Sequence, residues 1–177
     1  MNYATIKYCD IANGTGVRTS LFVSGCRRHC PECFNAVAWD FGYGLPFDKA
    51  VRNEILGSLA PDYIDGLSLL GGEPFEPENQ PTVLALCKAV REKFPEKTIW
   101  CYSGYTLETD ILAGRLGPKD ITMALLGQLD VLVDGEFHLE EKDPSLRFRG
   151  SRNQRIIDVK KTLETDETVL WDGRKEP

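Results

Sequence analysis

Short apolar runs alternate with amphipathic segments along most of the chain. The apolar runs, which we predict to be β-strands, cover residues 20–24, 66–70, 98–102 and 130–134. Apolar positions recur at helical spacing in the segments between them, and we predict helices over residues 49–59, 81–94, 107–116 and 118–129. Strands separated by helices are typical of βαβ units, so the pattern predicts an α/β fold with a parallel sheet.

The length of the chain limits how such a sheet can close. A complete eight-fold β/α barrel typically needs about 250 residues, whereas this chain has 177. We therefore predict an incomplete parallel β/α barrel that is open on one side. Ligand sites in such folds lie at the carboxyl ends of the strands, so the segments that directly follow the predicted strands should meet there.

Three closely spaced cysteines directly follow the first of these strands. Cys26, Cys30 and Cys33 are separated by three and by two residues. Structural zinc is bound by four ligands, whereas three thiolates on an iron–sulfur cluster leave one iron open to a further ligand. The spacing alone leaves zinc open, with His29 or Cys9 as the fourth ligand. A disulfide is favoured less, because the amino terminus lacks the pattern of a secretory signal.

Composition and charge restrict the function further. Charged residues make up 27% of the chain and hydrophobic residues 42%, which is ordinary for a globular protein. The formal net charge of −6 disfavours nucleic acid as a partner. No run approaches the roughly 18 apolar residues of a membrane helix. We expect a cytoplasmic protein without nucleic-acid or membrane partners, consisting of one domain (residues 1–159) and a charged C-terminal tail (residues 160–177).

The cysteine spacing resembles the signature of the radical S-adenosylmethionine enzymes, and the Gly-Gly-Glu-Pro turn at residues 71–74 resembles their second motif. Within this superfamily the chain resembles the activating proteins of anaerobic ribonucleotide reductases over about residues 3–158. The segments that carry this resemblance are residues 13–26, 33–35, 71–74, 100–106, 131–135 and 143–154. Two positions depart from the pattern. Glu32 replaces a frequent aromatic residue, and Glu136 stands where relatives often have lysine, so position 136 is assigned no cofactor contact.

The resemblance implies two cofactors. Cys26, Cys30 and Cys33 would hold a [4Fe–4S] cluster, and S-adenosyl-L-methionine would bind its open iron. The residues that the resemblance assigns to S-adenosylmethionine are Glu32, Cys33, Phe34, Gly71, Gly72 and Glu73. Ser103 and Asp134 are further candidates for the pocket lining. No side chain beyond the cluster cysteines is assigned a catalytic role.

The resemblance also implies a reaction. The enzyme would cleave S-adenosylmethionine reductively and generate a glycyl radical on the large subunit of an anaerobic ribonucleotide reductase. Reduced flavodoxin or a similar small carrier would supply the electron. Two alternatives remain: a different small radical S-adenosylmethionine enzyme, acting on another glycyl-radical enzyme or on a small molecule, and, less favoured, a zinc-binding adaptor. The arginines at positions 147, 149, 152 and 155 are expected to form a solvated or partner-facing edge.

Overall fold

A computed structural model describes residues 1–173 and contains one seven-stranded sheet in the order β3-β1-β2-β4-β5-β6-β7. The strands are β1 (Asn2–Asp10), β2 (Arg18–Val23), β3 (Leu45–Pro46), β4 (Gly66–Gly71), β5 (Thr98–Tyr102), β6 (Val131–Asp134) and β7 (Arg155–Asp158). The α-helices are α1 (Lys49–Ser58), α2 (Gln80–Lys93), α3 (Lys119–Leu126) and α4 (Val159–Thr165). Short 3₁₀ turns cover Ala36–Trp39 and Leu139–Glu141, and a π-helical turn covers Leu107–Leu112.

The sheet is mixed, which corrects the prediction of a purely parallel one. Its central strands β2, β4, β5 and β6 are parallel neighbours, as predicted. However, β1 pairs antiparallel with β2, and β7 pairs antiparallel with β6. The connection from β1 to β2 spans only residues 11–17, and a parallel crossover needs about a dozen residues or more. The result is an α/β fold whose described sheet is open, with β3 and β7 at its edges.

Two of the predicted helices have boundaries that follow from local chemistry. α1 begins after Asp48, whose side chain accepts a hydrogen bond from the Val51 backbone N–H at 3.0 Å. α2 has Pro81 in its first turn, where a missing N–H breaks no helical hydrogen bond, and it ends just before Phe94 and Pro95. The predicted ends of both helices agree with the structure to within one residue.

The helix predicted over residues 107–116 is shorter than expected. Its hydrogen-bonded part is the π-helical turn, which ends at Leu112. The turn begins where the buried Asp134 carboxylate accepts a hydrogen bond from the Leu107 N–H at 2.9 Å. Gly114 and Gly117 follow, and glycine disfavours the continuation of a helix.

The main apolar core joins the first three helices to the sheet. Ile55 of α1, Val83 of α2 and Leu125 of α3 pack in one cluster with Leu67 and Leu69 of β4, and all five are fully buried. Burial of these side chains fixes the sheet on which the strand ends are placed. No helix within residues 1–173 is long and apolar enough to span a bilayer.

A smaller aromatic cluster lies on the opposite face of the sheet. Trp100 alternates with core residues along β5, so its ring points away from the main core. The Trp100 ring centroid is 5.3 Å from that of Phe148 and 5.1 Å from that of Trp171. The predicted C-terminal tail therefore packs on the sheet as far as Trp171, and its last four residues (174–177) lie outside the described part of the chain.

Candidate functional site

A cavity of about 480 Å³ opens at the carboxyl ends of the parallel strands. It is lined by residues that end or follow β2, β4, β5 and β6, including Cys26, Gly71, Ser103 and Gly135. Cys30 and Cys33 line the same cavity, so the structure brings the three cysteines and the segments after the strands to one place. All three thiols are free.

The cysteine loop has an unusual backbone. Each of the three cysteines directly follows a residue in the left-handed region: Gly25 (φ 95°), His29 (φ 48°) and Glu32 (φ 57°). Non-glycine residues seldom adopt this conformation, and such strain clusters at ligand sites. The three turns direct the cysteines toward a common cavity.

Buried polar side chains hold the cysteine loop to the segment that follows β4. The Glu76 carboxylate is buried, accepts a hydrogen bond from the Arg27 N–H at 2.8 Å and pairs with the Arg27 guanidinium at 2.5 Å. Asn79 Nδ2 donates to the carbonyls of Ser24 at 3.0 Å and Glu73 at 2.9 Å. Sequence reasoning missed Glu76 and Asn79, because nothing in a proline-rich turn marks one Glu or Asn as buried.

The two glycines before Glu73 allow this segment to dock against the cysteine loop. Gly71 has a φ of 108°, and a Cβ there would lie 2.7 Å from the backbone of Phe22. A Cβ at Gly72 would lie 2.6 Å from the carbonyl oxygen of Gly25. The Glu73 N–H donates to that same Gly25 carbonyl at 2.9 Å. A side chain at Gly72 would therefore separate the turn from the cysteine loop, and a side chain at Gly71 would displace the turn from β2.

Glu73 is a buried carboxylate in the cavity wall. It accepts hydrogen bonds from the Phe75 N–H at 2.9 Å, the Ser103 hydroxyl at 3.0 Å and the Gly104 N–H at 2.8 Å. Burial nevertheless raises the pKa of Glu73 to about 7. A carboxylate has about four acceptor positions, so Glu73 retains capacity for a further donor, and a cationic donor would favour its charged form.

Burial favours the protonated form of two of the thiols, those of Cys26 and Cys30. Burial, followed by the nearby Glu73 charge, raises the pKa of Cys26 to about 12, and burial also raises the pKa of Cys30. Thiolates are the species that bind iron, so these protons must leave as a metal binds.

The side chains around the thiols fit an iron–sulfur cluster better than zinc. The His29 ring stacks on Trp39 with 4.6 Å between centroids, and Cys9 is exposed and does not line the cavity. Within residues 1–173, no three His, Cys, Asp or Glu side chains surround a single metal-ion position. In a [4Fe–4S] cluster each cysteine binds a different iron, so the three sulfurs need not meet at one ion.

The remaining predicted site residues divide into two groups. Glu32, Phe34 and Ser103 line the cavity, and Phe34 is 83% exposed. Asp134 was predicted to line it as well, and this prediction is wrong. Its buried carboxylate accepts hydrogen bonds from Arg155 Nε at 3.0 Å and Arg155 Nη2 at 2.5 Å, and Asp134 does not line the cavity.

The segment between β6 and β7 supplies another wall of the cavity. The Gln154 side chain joins the two ends of this segment. It donates a hydrogen bond to the Gly135 carbonyl at 3.0 Å and accepts one from the Gly150 N–H at 2.8 Å. Of the four arginines in or beside this segment, Arg155 and Arg152 form ion pairs within the protein, and Arg149 lines the cavity.

Comparisons with known proteins identify the family. Residues 12–157 match a family model described as a 4Fe-4S single cluster domain. The chain is 41% identical over 158 residues to the anaerobic ribonucleoside-triphosphate reductase-activating protein of Pasteurella multocida (strain Pm70), covering 88% of this chain and 96% of that protein. It is 42% identical over 156 residues to the protein of that name from Escherichia coli (strain K12), covering 87% and 96%.

A more distant relative belongs to a virus. The activating protein of the same name from Enterobacteria phage T4 is 39% identical over 157 residues, covering 88% of this chain and 93% of the phage protein. The resemblance found in the sequence is thus confirmed across bacterial and phage relatives. The chain belongs to the family of anaerobic ribonucleoside-triphosphate reductase-activating proteins, and its main domain is a 4Fe-4S single cluster domain.

Proposed function

We propose that the protein is the activase of an anaerobic ribonucleoside-triphosphate reductase and acts as a radical S-adenosylmethionine enzyme. The observation that carries this proposal is the convergence of three free thiols and a buried carboxylate on one cavity in a member of this family. When bound, the [4Fe–4S] cluster supplies the electron for reductive cleavage of S-adenosylmethionine, which drives the removal of a hydrogen atom from a glycine of the reductase.

The residues of the cavity hold and orient the two cofactors. Cys26, Cys30 and Cys33 would each hold one iron of the cluster, and no further protein ligand is assigned to the fourth iron. The Glu73 carboxylate accepts a hydrogen bond from the amino group of S-adenosylmethionine, for which it retains an acceptor position. Gly71 and Gly72 line the same cavity, and their lack of side chains lets the turn that carries Glu73 pack closely on β2 and the cysteine loop.

The adenosyl part of S-adenosylmethionine contacts the wall formed by Glu32, Cys33 and Phe34, as the resemblance implies. These residues line the cavity beside the cluster cysteines. Because Phe34 is 83% exposed, this wall borders solvent, where a loop of a protein substrate has access. The large subunit of the reductase is the partner that enters, and reduced flavodoxin or a similar carrier is the electron donor.

We also propose the finer architecture and location. The open sheet is the incomplete β/α barrel of the radical S-adenosylmethionine type, since its four central strands are parallel and its cavity lies at their carboxyl ends. Residues 1–159 form the single domain, and residues 160–177 are a C-terminal segment. The cytoplasm is the location, because a reducing compartment keeps the six cysteines free.

Activation of purified reductase tests this function. The protein is reconstituted with iron and sulfide without oxygen, reduced, and mixed with S-adenosylmethionine and the anaerobic reductase of its own source. We expect methionine release together with a glycyl-radical signal in electron paramagnetic resonance on the reductase. The Cys26→Ala variant serves as the control and should produce neither. Methionine release without a radical on the reductase would instead favour a different substrate, and the absence of cleavage would contradict the radical mechanism.

A further inference from the structure

One cationic side chain lies close to Glu73 in the cavity. Arg28 lies between Cys26 and Cys30 in the cysteine loop, and it lines the cavity. Gly104 adjoins both groups: a Cβ on Gly104 would be 3.6 Å from Arg28 Nε and 3.7 Å from Glu73 Oε2. Arg28 and Glu73 therefore border the same part of the cavity wall, at Gly104.

The guanidinium of Arg28 is held in place but not fully hydrogen-bonded. Its Nη2 pairs with Glu136 Oε2 at 2.5 Å, and its central carbon lies 5.2 Å from the centroid of the Tyr105 ring. Its Nε is buried and has no hydrogen-bond partner within residues 1–173. A buried donor without an acceptor is unfavourable, so this nitrogen is expected to find its acceptor in a ligand.

Two other cationic side chains line the cavity, and neither has this arrangement. Lys142 and Arg149 belong to the segment between β6 and β7. Lys142 is exposed, and Arg149 Nη1 already donates to the Gln154 carbonyl at 2.6 Å. Arg28 is the cation that combines proximity to Glu73 with a buried, unused donor.

We propose that Arg28 binds the carboxylate of the amino-acid group of S-adenosylmethionine while Glu73 binds its ammonium group. The inference rests on the proposed function. An amino-acid end carries one positive and one negative charge, so its site needs an acceptor and a cationic donor a few ångströms apart. A guanidinium provides directed donors to a carboxylate, and a carboxylate has enough lone pairs to accept from Arg28 while also binding a metal.

Glu136 has a supporting role in this arrangement. Its carboxylate pairs with Arg28 Nη2 at 2.5 Å and so restricts the orientation of the guanidinium. Arg28 connects the cysteine loop to the segment after β6 through this ion pair. Arg28 is therefore the binding residue, and Glu136 is a positioning residue that acts through it.

A comparison of two ligands separates this role from a general effect on the loop. Equilibrium dialysis without oxygen would measure the binding of S-adenosylmethionine and of its decarboxylated form to the cluster-loaded protein. We expect Arg28→Ala to weaken the binding of S-adenosylmethionine about 10- to 100-fold. Its effect on the decarboxylated ligand should be less than about 2-fold, because the partner of Arg28 is missing there. The decarboxylated ligand also lacks any carboxylate–iron contact, but this loss is the same for wild type and Arg28→Ala and therefore cancels when the two proteins are compared.

Control variants and iron analysis complete the test. Arg115→Ala removes an exposed arginine far along the chain and should change neither affinity. If the Arg28→Ala variant does not assemble its cluster, the Arg28→Lys variant is tested instead. We expect it to lose affinity selectively for S-adenosylmethionine as well, by a smaller factor. If Arg28→Ala weakened the binding of both ligands equally, or of neither, the assignment of Arg28 would be overturned while the proposed function remained intact. Failure of the cluster-loaded wild-type protein to bind S-adenosylmethionine would overturn the proposed function as well.

Discussion

An arginine lies near each end of β2, and the protein supplies hydrogen-bond acceptors for all the nitrogens of only one of them. Arg18, at the amino end, is fully buried, and its three nitrogens all donate to side-chain or carbonyl oxygens at 2.7 to 3.1 Å. Arg28, beyond the carboxyl end, has one ion pair and a buried Nε with no acceptor in the described chain. An arginine whose donors all have acceptors within the protein stabilises the fold. An arginine in a cavity with an unused donor can still bind a ligand.

The two arginines also lie in different backbone settings. Arg18 lies in regular strand, with its partners on the neighbouring strands β4 and β5 and in the turn before β2. Arg28 lies in the loop in which every cysteine follows a left-handed residue. Backbone strain and unused donors therefore occur together at the carboxyl end, where the cavity lies. Variants at the two ends should affect different properties.

The largest effect is expected at the cysteines. Replacement of Cys26, Cys30 or Cys33 by Ala should reduce bound iron from about four atoms per chain to nearly none and abolish activation, because the cluster loses an iron ligand. Cys87→Ala is the matched control, since Cys87 is fully buried in α2 and away from the cavity. Iron and sulfide analysis after reconstitution measures the effect. Retention of the cluster by Cys26→Ala, or its loss in Cys87→Ala, would contradict the assignment.

The second effect concerns stability at the amino end. Arg18→Met leaves several buried oxygens without a donor, and we expect it to lower the free energy of unfolding by about 3–5 kcal/mol. Arg28→Met should lower it by less than about 1 kcal/mol, since the pair with Glu136 is partly exposed. Urea unfolding of the cluster-free proteins at pH 7 compares the two. Similar losses for both variants would remove the distinction between the two arginines.

The third effect concerns binding at the carboxyl end. Glu73→Gln replaces the proposed ammonium acceptor by a neutral amide and should weaken S-adenosylmethionine binding about 10- to 100-fold. Iron content should not change, because Glu73 is not a cluster ligand. Glu78→Gln is the control, since Glu78 is a half-exposed glutamate just beyond the turn and pairs with Arg27. Equilibrium dialysis of both variants checks this. An unchanged affinity in Glu73→Gln would exclude the proposed contact.

The smallest effect comes from a third arginine, whose partners are carboxylates. Arg155 lowers the pKa of Glu108 from its ordinary value of 4.5 to about 2. This contact therefore stabilises the fold above about pH 4.5, and the stabilisation is lost as the pH falls toward 2. Because both side chains are partly exposed, wild type and Glu108→Gln should differ by less than about 1 kcal/mol at pH 7.

Urea midpoints of the cluster-free proteins from pH 7 to pH 2.5 measure this difference. The difference in urea midpoint between wild type and Glu108→Gln should decrease as the pH falls below 4.5. A gap that stays constant over this range would show that Glu108 acts through something other than its charge.

Much of the central sheet could be predicted from the sequence. Four buried parallel strands produce continuous apolar runs, and α1 and α2 have clear caps and periodicity. The antiparallel edges could not be predicted in this way. β1 is largely exposed or half-buried, β3 contains only two residues, and β7 has only two apolar residues between Arg155 and Asp158, so none produces a distinct apolar run.

The site was predictable only in part, for a similar reason. Cys26, Cys30 and Cys33 are close in sequence, and spacing alone marks them. The tether from Arg27 to Glu76 joins residues 49 positions apart, and the pair of Arg28 with Glu136 joins residues 108 positions apart. Such contacts arise from the order of the strands, and a single sequence contains no local pattern for them.

Electron paramagnetic resonance of the reduced protein, together with iron and sulfide content, tests the central claim most directly. Spectra are recorded without oxygen before and after S-adenosylmethionine is added. We expect about four irons per chain and a cluster signal that changes on addition, because the ligand binds the iron that no cysteine holds. Zinc in place of iron, or a cluster signal that S-adenosylmethionine leaves unchanged, would contradict an open-iron site in this cavity.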